Sequence, residues 1–189
     1  FYFNSSLAKC EAISNSFDEA LMLDASDFVS ECSGENIFMI KDNVLITPRL
    51  DSVLPGITRD SIMQIAKAEL NLKIIEKNIY LQELFSADEC FLTGTAAELT
   101  PVRQVDNHTI GSGKPGLITK QLQSLYSDII HGKNKDYRIL FRLNKVNINV
   151  IFSTQFTSGF VKRGMKKHRI LFRRRQKTAW QAPRDGGGV

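Results

Sequence analysis

The chain has 189 residues, 42% of them hydrophobic and 24% charged, with a formal net charge of +5. That length is enough for one domain with its own core, the composition is near the average for soluble proteins, and no apolar run approaches the ~18 residues of a membrane span. A disulfide framework and a zinc site are both unsupported, because Cys10, Cys32 and Cys90 are far apart in apolar sequence and His108, His131 and His168 are scattered without ligand spacing.

Reduced thiols of this kind point to a cytoplasmic protein, and the N-terminus lacks the basic and apolar segments of a signal peptide. The chain opens on Phe1 rather than Met, as an internal piece of a longer protein would. Its charge is uneven. Residues 138–189 hold 13 of the 25 basic residues against a single acid, Asp185, for a net +12; residues 1–137 hold the other 12 against 19 acids, a net −7. Such a contrast marks either a tail for nucleic acid or anionic lipid, or a segment foreign to the fold.

In chain order, residues 4–16 predict a helix, with Asn4 and Ser5 as cap types and Leu7, Cys10 and Ile13 near one face. Short β-type runs follow at 19–24, 28–32, 36–40 and 44–47, separated by turn residues, and predict a four-strand antiparallel meander. Ile62, Ile65, Ala66 and Leu70 recur at helical spacing in "ITRDSIMQIAKAEL", with Asp60 in the first turn. Residues 72–79 predict a strand and 81–88 a short helix. Two more strands are expected at 89–94 and 100–106, and a last helix at 116–132 ends on Gly132. Strands and helices mix without strict alternation, which predicts a mixed α/β fold: a sheet or pseudo-barrel flanked by helices. From residue 138 the pattern weakens, and 162–189 shows no period and no caps.

Three stretches could carry chemistry. Glu31 sits between apolar strand residues, where a buried carboxylate needs a cationic or proton-donating partner; the plainer reading is an exposed strand position. "LPGITRD" (54–60) feeds Pro55 and Gly56 into a helix start, whose backbone N–H groups form an anion site, or else Thr58 is an ordinary N-cap. "TGTAAE" (93–98) combines small residues and a hydroxyl, and Thr95 with Glu98 also matches a capping box, although the strand pattern after Pro101 argues against one.

Taken together with their neighbours, these stretches resemble a known family. "YFNSSLAKCEA" (2–12), "FDEALMLD" (17–24), "VSECSGENIF" (29–38), "LPGITRDS" (54–61), "ADECFLTGTAAELTPV" (87–102) and "GLITKQLQSLY" (116–126) match, in order and spacing over about residues 1–135, the larger C-terminal domain of the branched-chain amino acid aminotransferases. These are pyridoxal-phosphate (PLP) enzymes of fold type IV. "SGENIF" and "GTAAE" favour that group over the D-amino acid transaminases and aminodeoxychorismate lyases of the same fold.

The resemblance implies PLP as cofactor, branched-chain amino acids and 2-oxo acids such as 2-oxoglutarate as substrates, and a homodimer or larger oligomer. It implies that Glu31 holds the pyridine nitrogen, keeping it protonated so that the ring can act as an electron sink. Ile57 and Thr58 would hold the cofactor phosphate through backbone N–H groups and Thr95 through its hydroxyl, Leu54 would pack on the ring, and Tyr2 would lie beside the phenolic oxygen. Thr95 and Ala96 would take the substrate carboxylate, and Glu35 would be structural. Cys32 stands where the family usually has glycine. The lysine that forms the Schiff base is expected about five residues before Tyr2, ahead of Phe1, and Lys9 does not replace it. On this reading residues 1–137 are an N-terminally truncated C-terminal domain, inactive alone, and 138–189 are a basic segment outside the family pattern. The alternative is a lysine-less binding module with a nucleic-acid-binding tail.

Overall fold

The computed structural model describes residues 2–133 and 169–174. The elements run α1 (Tyr2–Ser14), β1 (Glu19–Leu23), β2 (Val29–Cys32), β3 (Asn36–Lys41), β4 (Val44–Thr47), α2 (Ile57–Glu69), β5 (Lys73–Glu76), α3 (Leu81–Phe85), β6 (Glu89–Gly94), β7 (Glu98–Val105), β8 (His108–Thr109), α4 (Leu117–Ile130) and β9 (Arg169–Arg174). The mixed α/β class is as expected.

The strands form one sheet in the order β2-β1-β9-β7-β6-β3-β4-β5, with β8 attached to β7. All pairings are antiparallel except β4 with β5. Strands β2 and β3 are joined by only residues 33–35, yet stand far apart in this order. The sheet must therefore curl until its β2 edge approaches β3, which gives the barrel-like form.

The expected meander breaks at this point. β1–β2 and β3–β4 are hairpins, but β2 does not form a ladder with β3, whose second neighbour is β6. The reason is that β3 is apolar on both faces. Ile37 and Met39 join one core with Leu21, Val29, Leu92 and Val105. Phe38 and Ile40 join another with Phe91, Ile62 and Ile65 of α2, and Leu122 and Tyr126 of α4. A strand buried on both faces belongs inside the sheet. Phe38 and Phe91 stack across the β3–β6 ladder with centroids 5.2 Å apart.

Helix α1 also departs from expectation. It begins at Tyr2, so Asn4 and Ser5 lie in its first turn rather than capping it. Its buried face is Ala8 and Ala12, set against Ala20 and Met22, while Leu7 and Ile13 are exposed. Small side chains allow the close approach to β1, and the larger apolar ones are left outward.

Residues 162–189 suggested no element, but 169–174 form β9, which inserts between β1 and β7. The remaining expectations for the basic segment fall outside the described residues. Among the described residues, no helix is long and apolar enough to cross a membrane and no cluster could hold a metal ion.

Candidate active site

The Glu31 loop is pinned first. After β2 the chain turns through Ser33 and Gly34, closed by the Cys32 N–H donating to the Glu35 carbonyl at 2.7 Å. This leaves Glu31, at the end of an edge strand, beside the incoming segment 52–56. Its Oε2 accepts the Leu54 N–H at 2.8 Å, and the Asn36 amide lies 3.5 Å away. No ion pair reaches Glu31 among the described residues. Burial pushes its pKa above the ordinary 4.5, against the pull of the Leu54 N–H. Among the described residues the carboxylate has no cationic partner.

Leu54 leads through Pro55 and Gly56 into α2. Gly56 is the N-cap, in extended conformation, and no side chain caps the helix; Thr58 lies inside the first turn, which excludes the ordinary N-cap reading. The first N–H groups are therefore available to an anion, reinforced by the positive end of the helix dipole. Asn36 sets the height of this turn. Its amide donates to the Leu54 carbonyl at 2.9 Å, and a Cβ on Gly56 would lie 2.1 Å from its Oδ1. Glycine is the residue that fits.

The third stretch is a hairpin turn. Strand β6 ends at Gly94, Thr95 and Ala96 are exposed in the turn, and β7 starts at Glu98, which has positive φ; no helix follows, so Thr95 and Glu98 form no capping box. Gly94 presses on the Glu31 loop, with its Cβ position 3.2 Å from Glu35 Cγ and 3.3 Å from the Gly34 carbonyl. Thr93, one residue earlier, pairs with Asn36 across β3 and β6.

Three segments distant in sequence thus meet around Asn36. They bring Glu31, Leu54, Ile57 and Thr58 together with the loop that carries Thr95 and Ala96. Leu54 is 68% exposed and Ile57 44%, a pair of apolar side chains open beside a carboxylate and a helix N-terminus. Tyr2 opens α1, and its side chain lies outside the described set. Lys9 is engaged elsewhere: its ammonium donates to Glu19 Oε2 at 2.7 Å and to the Asp18 carbonyl at 2.6 Å.

Several residues around the site carry no local sequence signal. Glu19 is 1% exposed and is held by Lys9, by the Ser33 hydroxyl and by the Ala20 N–H. Burial alone would raise its pKa, but the Lys9, Ser33 and Ala20 hydrogen bonds outweigh it and hold the carboxyl below 4.5. This network ties α1 to the Glu31 loop. Arg59, buried at the start of α2, donates to the Pro48 carbonyl at 3.0 Å and to Glu76 at 2.6 Å, anchoring the helix to β5. Asn36 could have been noticed as the one amide entering an otherwise apolar strand. A cavity of about 250 Å³ lies between β7, residues 113–115 and α4, but Glu31, Leu54, Ile57 and Thr58 do not line it.

A buried carboxylate and an uncapped helix N-terminus lie close together along the chain, the first suited to a basic group and the second to an anion. The family profile "Amino-transferase class IV" matches residues 2–105, and the chain belongs to that family. Its relatives narrow the group. The branched-chain-amino-acid aminotransferase of Pseudomonas aeruginosa is 52% identical over 134 residues, covering 71% of this chain and 43% of the relative. A probable branched-chain-amino-acid aminotransferase of Aquifex aeolicus is 49% identical over 138 residues, 72% of this chain and 44% of the relative.

Among solved structures, the branched-chain amino acid aminotransferase of Thermobaculum terrenum in its PLP form superposes with a TM-score of 0.71 at 39% identity, over 72% of this chain and 45% of that one. The branched-chain aminotransferase of Thermoproteus uzoniensis with norvaline gives 0.68 at 43% identity, over 72% and 45%. The chain spans less than half the length of these relatives.

Proposed function

We propose that residues 1–137 are the C-terminal, cofactor-holding domain of a branched-chain amino acid aminotransferase, which moves an amino group between Leu, Ile or Val and 2-oxoglutarate. The observation that supports this is that Glu31 holds the Leu54 N–H, three residues before the uncapped start of α2 at Ile57, within a class IV fold. PLP, when bound, supplies the electron sink for amino transfer.

The chain's own residues would do the holding. Glu31 has no cationic partner among the described residues, and a protonated ring nitrogen would supply one, offsetting the desolvation cost of the carboxylate. The Ile57 and Thr58 N–H groups and the Thr95 hydroxyl would take the phosphate, and exposed Leu54 would cover one ring face. The Thr95 and Ala96 N–H groups would orient the substrate carboxylate, and Tyr2 would stand beside the phenolic oxygen. Lys9, held by Glu19, is not the proton-shuttling amine. On this reading that amine belongs to the part of the relatives' length that this chain does not span. The 189 residues alone are then inactive; the full enzyme is a cytoplasmic homodimer or larger oligomer.

The test is a graft. Residues 2–133 replace the matching stretch of the Pseudomonas aeruginosa relative, and amino transfer from leucine to 2-oxoglutarate is assayed. The expected result is an active chimera that loses most activity on E31Q, while the 189-residue chain shows none. A folded chimera indifferent to E31Q would contradict the proposal.

A further inference from the structure

Thr93 is 1% exposed, and its hydroxyl is buried without a hydrogen-bond partner among the described residues. Such a group opposes folding, since the water it gave up is not replaced. A valine of the same shape would remove that cost.

The direction of the side chain suggests what the hydroxyl is for. Thr93 stands directly opposite Asn36 in the β3–β6 ladder, and opposed residues of an antiparallel pair project to one face. On that face Asn36 reaches the Leu54 carbonyl and abuts Gly56. Phe91, two residues before Thr93 and so on the same face, packs into the core shared with α2. Thr93 therefore shares the sheet face on which Asn36 meets the chain entering α2. An uncapped helix N-terminus and a buried hydroxyl are thus both neighbours of Asn36.

We infer that Thr93 is a further phosphate-binding residue of this cradle, its hydroxyl donating into the oxygen shell of the bound phosphate. The inference rests on the cradle reading above and adds a donor to it. It predicts a trade: the hydroxyl costs stability in the free chain and returns it as affinity for a phosphorylated ligand.

The experiment uses the 189-residue chain as wild type, T93V and T93S. Thermal midpoints are taken without ligand, and dissociation constants are measured for PLP and for unphosphorylated pyridoxal. T93V is expected to melt about 3 °C higher and to bind PLP about tenfold more weakly. Its affinity for pyridoxal should not change, and T93S should restore PLP binding. If wild type prefers PLP to pyridoxal but T93V keeps that preference, the inference about Thr93 fails and the cradle stands. If wild type shows no preference, the cradle fails and takes the inference with it. A T93V chain that does not fold, or that loses pyridoxal and PLP equally, makes the hydroxyl structural and overturns the inference.

Discussion

At Glu31 burial and hydrogen bonding pull in opposite directions, and burial is the larger effect. A carboxyl whose pKa is raised on folding favours its protonated form, so its contribution to stability is complete below about pH 4.5 and is lost as pH rises through the folded value. E31Q removes that loss and keeps an acceptor for the Leu54 N–H. Without cofactor, E31Q should therefore gain on wild type in denaturant midpoint between pH 4 and pH 7.5, while binding PLP more weakly; a stability difference that ignores pH would refute the assignment.

Glu19 has the opposite sign. Its folded pKa is depressed, so its contribution is present above pH 4.5 and lost as pH falls. Lys9→Met would strand a carboxylate that is 2% exposed. Removing one partner of a buried pair costs ~3–5 kcal/mol, and with the ammonium 35% exposed a loss of ~2 kcal/mol is expected at pH 7. Chemical denaturation at pH 7 and pH 3.5 checks this, with the loss shrinking at the lower pH.

At the scale of elements, α4 is capped from outside itself. Its N-cap, Gly116, has no side chain to offer, and Glu89 at the start of β6 accepts the Ile118 N–H at 3.2 Å and the Thr119 N–H at 2.8 Å. Glu89→Ala should cost ~1 kcal/mol, the usual worth of an N-cap, measured by thermal unfolding; an unchanged midpoint would mean the cap is idle. Helix α2 is legible in sequence because Ile62, Ile65 and Ala66 keep the helical period and all three are buried. Helix α1 is legible as a helix but not in its orientation, since alanines carry too little hydrophobicity to mark the buried face against Leu7 and Ile13. The site stretches are readable as local motifs. Their convergence on Asn36 depends on long-range contacts, Gly56 with Asn36 and Gly94 with Glu35, that no local period encodes.

At the scale of the molecule, the curled sheet makes these contacts possible. The β3–β6 ladder aligns Asn36 with Thr93, and the same ladder fixes the turn 95–97 beside the Glu31 loop. Strand pairing at this range is set by which faces are buried. That is why the meander, plausible from strand spacing alone, yields to insertion of β3 between β4 and β6. Strand β9 fills the place between β1 and β7, a partner that its arginine-rich sequence does not advertise. Core truncation should be felt across the whole fold: Phe91→Ala, at a residue 0% exposed and stacked on Phe38, is expected to cost ~3–5 kcal/mol in denaturant titration.

A crystal structure of this chain grown with PLP would show whether one cradle holds both ends of the cofactor. The phosphate is expected within hydrogen-bond reach of the Ile57 and Thr58 N–H groups, with the pyridine nitrogen at Glu31. Phosphate bound elsewhere, or a ring turned away from Glu31, would contradict it.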